Sequence, residues 1–239
     1  MKTNPGPLVS LAGIGKVYGG EVPTRALRGI SFTVNAGEFV AIVGSSGCGK
    51  TTLLNLLGLL DRATEGTLHL AGRNVTDLDA REAGQVRRDL LGFIFQFHYL
   101  LPEFDALENA LMPCRLAGGD RAKEREPAMR ALFARLGLGT KIHKRPSQLS
   151  GGEQQRVAIL RALANDPLFI LADEPTGNLD SRNAAEISSL LRDVTRETHR
   201  AVIMVTHDQE MAMKADRVIT LRDGRIESDR PTGRLPEAG

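Results

Sequence analysis

The sequence predicts an α/β fold built on a mostly parallel sheet, and three observations support that prediction. Residues 44–51 read G-S-S-G-C-G-K-T, which matches the glycine-rich pattern G-x-x-x-x-G-K-[ST]. An apolar run of strand length, 38–43, precedes this loop, and a helical stretch, 52–57, follows it. Two further apolar runs of strand length, 168–172 and 201–205, each end in polar residues, as the strands of a parallel sheet do.

Composition limits the class of protein. The chain has 239 residues, of which 41% are hydrophobic and 25% charged, enough for one large α/β domain or two small lobes. A formal net charge of +2 gives no electrostatic case for nucleic acid as a partner. Cys48 and Cys114 make no disulfide framework, and a thiol inside the glycine loop indicates a reducing compartment.

The N-terminal region predicts neither a signal sequence nor a membrane anchor. Residues 1–7 contain no apolar signal core, and the longest apolar stretch, 53–60, is too short to cross a bilayer. We therefore expect that, if the protein works at a membrane, another subunit holds it there.

The first part of the chain predicts mainly strands. In order, the predicted elements are a strand at 8–18 that ends at Tyr18, a strand at 26–34, a turn at 35–37, the loop-bearing strand and its helix, a hairpin at 67–74, a surface helix at 79–91 and a strand at 92–95 that ends at Gln96.

A helical insertion is predicted at 97–165. Residues 106–117 and 128–136 are predicted as helices joined by a charged segment, 120–127, and a last helix begins at Ser150. Ser150 and Glu153 fit the S-x-x-E capping box.

The rest of the chain again alternates predicted strands with a predicted helix. It predicts strands at 168–172 and 201–205, a helix through 184–194, a hairpin at 217–226 with an Asp-Gly turn and a loose tail from 227 to 239. The predicted organisation is one domain, with a core at 8–96 and 166–226 and a helical subdomain at 97–165.

The glycine loop has the chemistry of a phosphate site. Gly44, Gly47 and Gly49 lack a Cβ, so the backbone N–H groups of the loop can approach phosphate oxygens, and the following helix N-terminus favours an anion. Lys50 supplies a positive charge to the β- and γ-phosphates, and the Thr51 hydroxyl is a ligand for Mg²⁺. The remaining loop residues expected at phosphate are Ser45, Ser46, Cys48 and Thr52. A chance glycine-rich turn is the alternative, and the flanking strand and helix disfavour it.

An acidic pair follows the apolar run 168–172. Asp173 is predicted to reach Mg²⁺ at the loop, and Glu174 to orient the attacking water as a base. Such a pair could instead cap the next helix, but its combination with the glycine loop favours the catalytic interpretation.

Residues 149–156 read L-S-G-G-E-Q-Q-R. Ser150, Gly151, Gly152 and Glu153 begin a helix, where exposed N–H groups beside a hydroxyl form a second anion site. A plain helix cap explains the same residues, and local physics alone does not decide between the two.

From about Leu8 to Ile226 the sequence resembles the ATP-binding subunits of ABC transporters, and the segment 149–156 is the most specific element of that resemblance. The resemblance implies the ABC ATPase fold, with a RecA-like core, an antiparallel β subdomain and a helical subdomain. It also implies ATP and Mg²⁺ as ligands, and a head-to-tail dimer with two ATP molecules between the copies.

The same resemblance implies roles for single residues. Ser150 and Gly152 would contact the γ-phosphate held by the other copy, and Tyr18 would stack on adenine. Gln96 would sense Mg²⁺ and the attacking water, Asp180 would lie at the dimer interface, and His207 would contact the γ-phosphate. Glu174 and His207 together oppose an ATP-binding regulator without turnover.

Four segments resemble one branch of the family, the ATPases of lipoprotein-releasing complexes: 57–61, 95–104, 106–109 and 175–180. This branch implies two integral membrane partner subunits and a peripheral location on the cytoplasmic face of a Gram-negative inner membrane. Macrolide-exporter ATPases, which carry a fused membrane domain, and cell-division ATPases are the alternatives.

An aromatic-rich run is predicted to dock a helix of the membrane subunits. The residues expected there are Phe97, Tyr99, Leu100, Leu101 and Phe104, and burial in the helical core is the alternative for some of them. Cys48 stands where the family usually has Ser, which suggests that thiol alkylation blocks ATP binding and that ATP protects.

Overall fold

A computed structural model describes residues 6–20 and 22–233 of the chain. The strands are β1 (Val9–Tyr18), β2 (Thr24–Val34), β3 (Phe39–Val43), β4 (Glu65–Leu70), β5 (Arg73–Asn74), β6 (Leu91–Ile94), β7 (Phe169–Asp173), β8 (Ala201–Val205), β9 (Arg217–Arg222) and β10 (Arg225–Pro231). The helices are α1 (Lys50–Leu57), α2 (Ala80–Leu90), α3 (Ala106–Ala117), α4 (Arg121–Arg135), α5 (Gly151–Leu163), α6 (Ser181–Thr198) and α7 (Gln209–Ala212).

The larger sheet has the strand order β10-β9-β3-β8-β7-β6. The pairs β9–β3, β3–β8, β8–β7 and β7–β6 are parallel, and β10 is an edge strand antiparallel to β9. All five residues of β3 and of β8 are buried, because apolar clusters cover both faces of the sheet. Parallel order places the carboxyl ends of β3, β7 and β8 at one edge, which is where ligands bind in such sheets.

A second, antiparallel sheet has the order β2-β1-β4-β5. It packs through Ile14, Leu27 and Leu68 on the same apolar cluster that lines one face of the parallel sheet. The prediction of a mainly parallel core with an antiparallel β portion is confirmed.

Helices α3, α4 and α5 share an apolar cluster of their own around Met129, Phe133 and Leu160. The charged segment 120–127, predicted as a linker, belongs instead to α4, which begins at Arg121 and contains Pro127. Residues 121–126 are Arg, Ala, Lys and Glu, strong helix formers, and the loss of one N–H at Pro127 does not end the helix. The division of the chain at residues 97 and 165 stays a prediction.

The predicted loose tail is also corrected in part. Strand β10 continues through Pro231, and Asp229 pairs with Ile219 of β9 in register. The carboxylate of Asp229 also lies 2.5 Å from Nε of Arg217, so charge pairing extends the hairpin beyond the predicted end at Ile226. Residues 234–239 of the predicted tail lie outside the described residues.

Within the ranges 6–20 and 22–233, every helix is too short or too polar to cross a membrane.

Candidate active site

An open cavity of about 390 Å³ lies at the carboxyl ends of β3, β7 and β8. Distant parts of the sequence meet there: the glycine loop with the start of α1, Gln96 after β6, the end of β7, and the second residue after β8, with Ala26 of β2 beside them. The predicted site residues that line the cavity are Ser46, Gly47, Gly49, Lys50, Thr51, Thr52, Gln96, Asp173, Glu174 and His207. The structure therefore brings the predicted phosphate, metal and catalytic residues into one cleft.

Two positions of the loop require glycine. Gly49 has a φ of +107°, and a Cβ there would lie 2.8 Å from the carbonyl oxygen of Ala26. A Cβ on Gly44 would lie 2.3 Å from the carbonyl oxygen of Leu221. Gly49 also precedes α1 without a side-chain cap, so the first N–H groups of that helix stay available to an anion.

The Lys50 ammonium lies across the mouth of the loop. Its Nζ donates to the carbonyl oxygens of Gly44 and Ser45, both at 2.9 Å. These neutral acceptors are the only hydrogen-bond partners of Nζ in the described part of the chain, so the charge of Lys50 is not neutralised by a carboxylate there.

Cys48 belongs to the loop but does not line the cavity. Its side chain is buried, with 4% of the residue exposed, and its Sγ lies against Gly44. The backbone N–H of Cys48 donates to the carbonyl oxygen of Ser45 at 3.3 Å. Burial opposes the predicted alkylation of this thiol.

Glu174 is held in place by the residues that follow β8. One carboxylate oxygen lies 2.8 Å from Nδ1 of His207, and the other accepts hydrogen bonds from Thr206 Oγ1 at 3.2 Å and from the His207 N–H at 3.4 Å. Glu174 has a φ of +46°, a left-handed conformation that costs a non-glycine residue about 1–2 kcal/mol.

The surroundings of Asp173 disfavour the charged form of its carboxyl group. Burial raises the pKa of its carboxyl above the usual value, the neighbouring Glu174 raises it further, and Lys50 opposes both effects. A cation at this point would favour the charged carboxylate.

Gln96 contacts the segment 175–180, and Asp180 ends that segment. The amide of Gln96 packs against Gly177, where a Cβ would lie 2.9 Å from Nε2, and Asn178 donates to the Gln96 carbonyl at 3.0 Å. Asp180 caps α6, accepting from the Asn183 N–H at 2.9 Å, and is exposed outside the cavity.

Tyr18 lies outside the cavity and is part of a polar cluster that the sequence did not reveal. Its hydroxyl donates to Asp61 at 3.0 Å, and the Nζ of Lys16 lies 4.8 Å from the centroid of the Tyr18 ring. Lys16 also donates to Asp61 at 2.5 Å. The K-x-Y spacing places both side chains on one face of β1, a signal that could have identified Lys16.

The segment 149–156 does not meet the cavity within this chain. Ser150 and Glu153 form the predicted capping box, with the Glu153 carboxylate 2.9 Å from the Ser150 N–H. Gly152 has no room for a side chain, since a Cβ would lie 2.3 Å from Oδ1 of Asn183. Ser150 and Gly151 are exposed at the start of α5.

An apolar groove of about 720 Å³ lies between α2 and β6 on one side and α3 on the other. Of the five residues predicted to dock a partner, only Tyr99 lines it; Phe97 and Leu101 are exposed, Phe104 is half-buried, and Leu100 packs in the helical cluster. The groove takes its other apolar walls from Phe93, Phe95, Met112, Pro113 and Leu116. The prediction missed the contribution of α3, although Met112 and Leu116 have helical i, i+4 spacing.

Comparisons with known proteins agree with this geometry. The family model described as "ABC transporter" matches residues 27–177. The lipoprotein-releasing system ATP-binding protein LolD of Anaeromyxobacter dehalogenans is 49% identical over 226 residues, which are 94% of this chain and 95% of that protein.

Two export proteins match at similar identity. The pyoverdine export ATP-binding/permease protein PvdT of Pseudomonas aeruginosa is 49% identical over 98% of this chain, and the macrolide export ATP-binding/permease protein MacB of Hyphomonas neptunium is 50% identical over 93%. The chain spans only 35% and 34% of the lengths of these two proteins.

Solved structures show the same fold. A dimeric post-hydrolysis structure of the ATP-binding cassette MJ0796 bound to ADP and Pi is 39% identical, with a TM-score of 0.83 over 95% of this chain and 100% of that one. A second dimeric structure of MJ0796 is 40% identical, with a TM-score of 0.85 over the same shares of the two chains. The glycine loop, the polar residues at the ends of β7 and β8, and these matches together establish that the chain belongs to the ABC transporter family, as one of its ATP-hydrolysing cassettes.

Proposed function

We propose that this cassette hydrolyses ATP to drive the release of lipoproteins from an inner membrane toward the outer membrane. The observation that carries the proposal is the match to LolD along 95% of the length of that protein. The aromatic run at 95–104, beside the apolar groove, agrees with it. The same activity implies a peripheral location on the cytoplasmic face of a Gram-negative inner membrane.

In the proposed reaction the phosphates of ATP lie in the glycine loop. The N–H groups of residues 44–52 and the Lys50 ammonium bind the β- and γ-phosphates. Glu174 takes a proton from a water molecule, and the oxygen of that water attacks the γ-phosphorus. The bond between the γ-phosphorus and the β-phosphate oxygen breaks to leave ADP and phosphate. His207 orients the Glu174 carboxylate and would contact the γ-phosphate.

The residues of the cleft fit a magnesium ion. Thr51, Gln96 and Asp173 offer hydroxyl, amide and carboxylate oxygens to the same cavity, and oxygen ligands are those that Mg²⁺ prefers. No group of three acidic, histidine or cysteine side chains able to hold a metal occurs in residues 6–20 and 22–233. A bound Mg²⁺ would supply charge neutralisation at the β- and γ-phosphates.

The proposal includes a head-to-tail dimer with two ATP molecules between the copies. Ser150 and Gly151 are exposed at the N-terminus of α5, a position suited to an anion, and they do not meet the glycine loop of their own chain. A second copy would bring Ser150–Glu153 to the γ-phosphate and Asp180 to the interface. Tyr18, 39% exposed, offers one ring face to adenine.

Two integral membrane subunits are the proposed partners, and the apolar groove beside Tyr99 is their proposed docking site. Leu116 is 78% exposed and Tyr99 65%, which is unusual for large apolar side chains grouped around one groove.

Export of a small molecule is the second candidate, because PvdT and MacB are as similar to this chain as LolD is. Affinity purification from native membranes separates the two. A C-terminally tagged chain should recover two related membrane subunits with large periplasmic domains that carry acylated protein. Recovery of subunits that bind a siderophore or a macrolide instead would overturn lipoprotein release and keep the ATP site. A Tyr99→Glu variant should lose the subunits, whereas the exposed control Arg182→Glu should keep them.

A further inference from the structure

The apolar groove carries positive charge and no negative charge. Among the described residues that line it, the only side chains charged at neutral pH are those of three arginines, Arg87, Arg88 and Arg161, and none is acidic. A groove lined mainly by apolar side chains, with the amide of Asn165 as a further polar group, therefore has cationic side chains along it.

Arg88 is already neutralised. Its guanidinium lies 2.9 Å from the carboxylate of Asp89, which also lies 3.7 Å from Arg121. Arg88 therefore offers little free charge to a partner.

Arg87 and Arg161 differ from Arg88, because no carboxylate lies within 4.0 Å of either guanidinium in the described part of the chain. Arg87 donates to the carbonyl of Leu59 at 2.6 Å. Arg161 donates to the carbonyls of Tyr99 at 2.6 Å and His98 at 2.7 Å. Uncharged acceptors satisfy hydrogen bonds but do not cancel the charge.

The surroundings of Arg161 disfavour its charge. Burial lowers the pKa of its guanidinium below the ordinary value, so the protein around it disfavours the charge. A guanidinium has five N–H donors, and its two hydrogen bonds leave three of them without a partner among residues 6–20 and 22–233. The side chain lies beside Tyr99 at the edge of the groove.

The position of Arg161 links the groove to the rest of the cassette. Arg161 lies in α5, the helix that begins at Ser150, and its guanidinium holds the backbone of residues 98 and 99. Tyr99 has a φ of +45°, a backbone conformation that a tyrosine rarely adopts. The two hydrogen bonds from Arg161 stabilise this conformation. A ligand of Arg161 would contact α5 and the aromatic run together.

We propose that the groove accepts an amphipathic helix whose apolar face carries one carboxylate, and that this Asp or Glu pairs with Arg161. The proposal rests on the proposed function, since the helix belongs to a membrane subunit of the complex. Charge complementarity supports it, because an apolar helix alone would bury the Arg161 charge without a partner, which is costly. A bidentate pair matches the free N–H donors of the guanidinium.

The test uses the complex purified with its membrane subunits from native membranes. Arg161→Lys keeps the charge and introduces an amine that a carbodiimide joins to a carboxylate in direct contact, forming an amide while the carbodiimide leaves as its urea. Mass spectrometry should find position 161 joined to one Asp or Glu of a membrane subunit. Arg182→Lys, at an exposed position on α6, is the matched control and should give no such product.

A second variant measures the effect of the charge. Arg161→Met keeps the apolar stem and should lower recovery of the membrane subunits at least about tenfold, while the isolated chain keeps its ATPase rate. An intact Arg161→Lys complex with no cross-link from position 161, or full recovery with Arg161→Met, would overturn the pairing and leave the proposed function standing. Failure of the wild-type chain to recover any membrane subunit would overturn both.

Discussion

The Glu174 carboxylate lies 2.8 Å from Nδ1 of His207, although 33 residues separate them in the sequence. The parallel pairing of β7 with β8 creates this contact, because Asp173 is in register with Val205. Each strand therefore delivers its next residues to the same point at the sheet edge. The contact fixes the carboxylate that we propose as the base.

Loss of the His207 side chain should slow the chemical step more than it weakens ATP binding. We expect His207→Ala to lower kcat by about 10²-fold, the lower end of the usual contribution of a positioned proton-transfer group, with KM for ATP changed less than threefold. Steady-state phosphate release measures both constants. His207→Gln, whose amide can still donate to Glu174, should recover part of the rate, and an equal loss in both variants would contradict a positioning role.

Removal of the Asp173 charge should stabilise the nucleotide-free protein. Burial and then Glu174 raise the pKa of Asp173 in the folded state. The folded protein therefore binds more protons than the unfolded chain just above the ordinary pKa, and stability falls as pH rises through that window. Asp173→Asn should then raise Tm at pH 7 by a few degrees, where about 1 kcal/mol corresponds to 2–4 °C for a chain of this size.

The same variant should lose the increase in Tm that Mg²⁺ with ATP gives the wild type, because the proposed metal ligand is gone. Differential scanning fluorimetry with and without nucleotide measures both effects. A lower Tm without nucleotide would mean that Asp173 stabilises the fold, contrary to the direction of its pKa shift.

Lys16 should influence nucleotide affinity through Tyr18. Its ammonium lies 4.8 Å from the ring centroid and pairs with Asp61, which also accepts from the Tyr18 hydroxyl. We expect Lys16→Met to raise KM for ATP by about 2- to 30-fold, the range of a cation–π contact of about 0.5–2 kcal/mol, with a smaller effect on kcat. An unchanged KM in Lys16→Met and in Tyr18→Leu alike would show that the base binds elsewhere.

Both cysteines should resist alkylation in the folded protein. Cys48 is 4% exposed and Cys114 is fully buried, and burial raises the pKa of the Cys114 thiol. Maleimide labelling followed by mass spectrometry should therefore modify neither residue until a denaturant is added, with or without ATP. A Leu116→Cys variant, at a position 78% exposed, should react at once and serves as the control. Rapid labelling of Cys48 that ATP prevents would restore the hypothesis of a reactive loop thiol.

The placement of the glycine loop and of the acidic pair at one cleft could be predicted because each depends on a short segment. The pattern at 44–51 and the pair at 173–174 each follow an apolar run that predicts a buried strand, and their roles toward ATP stay predictions. The capping box of Ser150 and Glu153 was predictable for the same reason, since it depends on two residues three positions apart.

Features that depend on tertiary contact could not be predicted. The charged segment 120–127 is predicted as a linker, but its residues favour a helix and the helical cluster buries Met129 and Phe133. Strand β10 extends beyond the predicted end of the hairpin at residue 226 because Asp229 forms an ion pair with Arg217 of β9. In the sequence, Arg161 is an ordinary polar position of a predicted helix. Only the fold places its side chain at an apolar groove.

The most direct test of the account is ATP turnover by Glu174→Gln beside ATP binding by the same variant. Glutamine fills the same space but cannot accept the proton of the attacking water. We expect the rate of phosphate release to fall at least about 10²-fold, while ATP is bound at least as tightly as by the wild type and a dimer of twice 25.9 kDa accumulates. Hydrolysis by Glu174→Gln at the wild-type rate would contradict the assignment of the base and of the cleft at the ends of β3, β7 and β8.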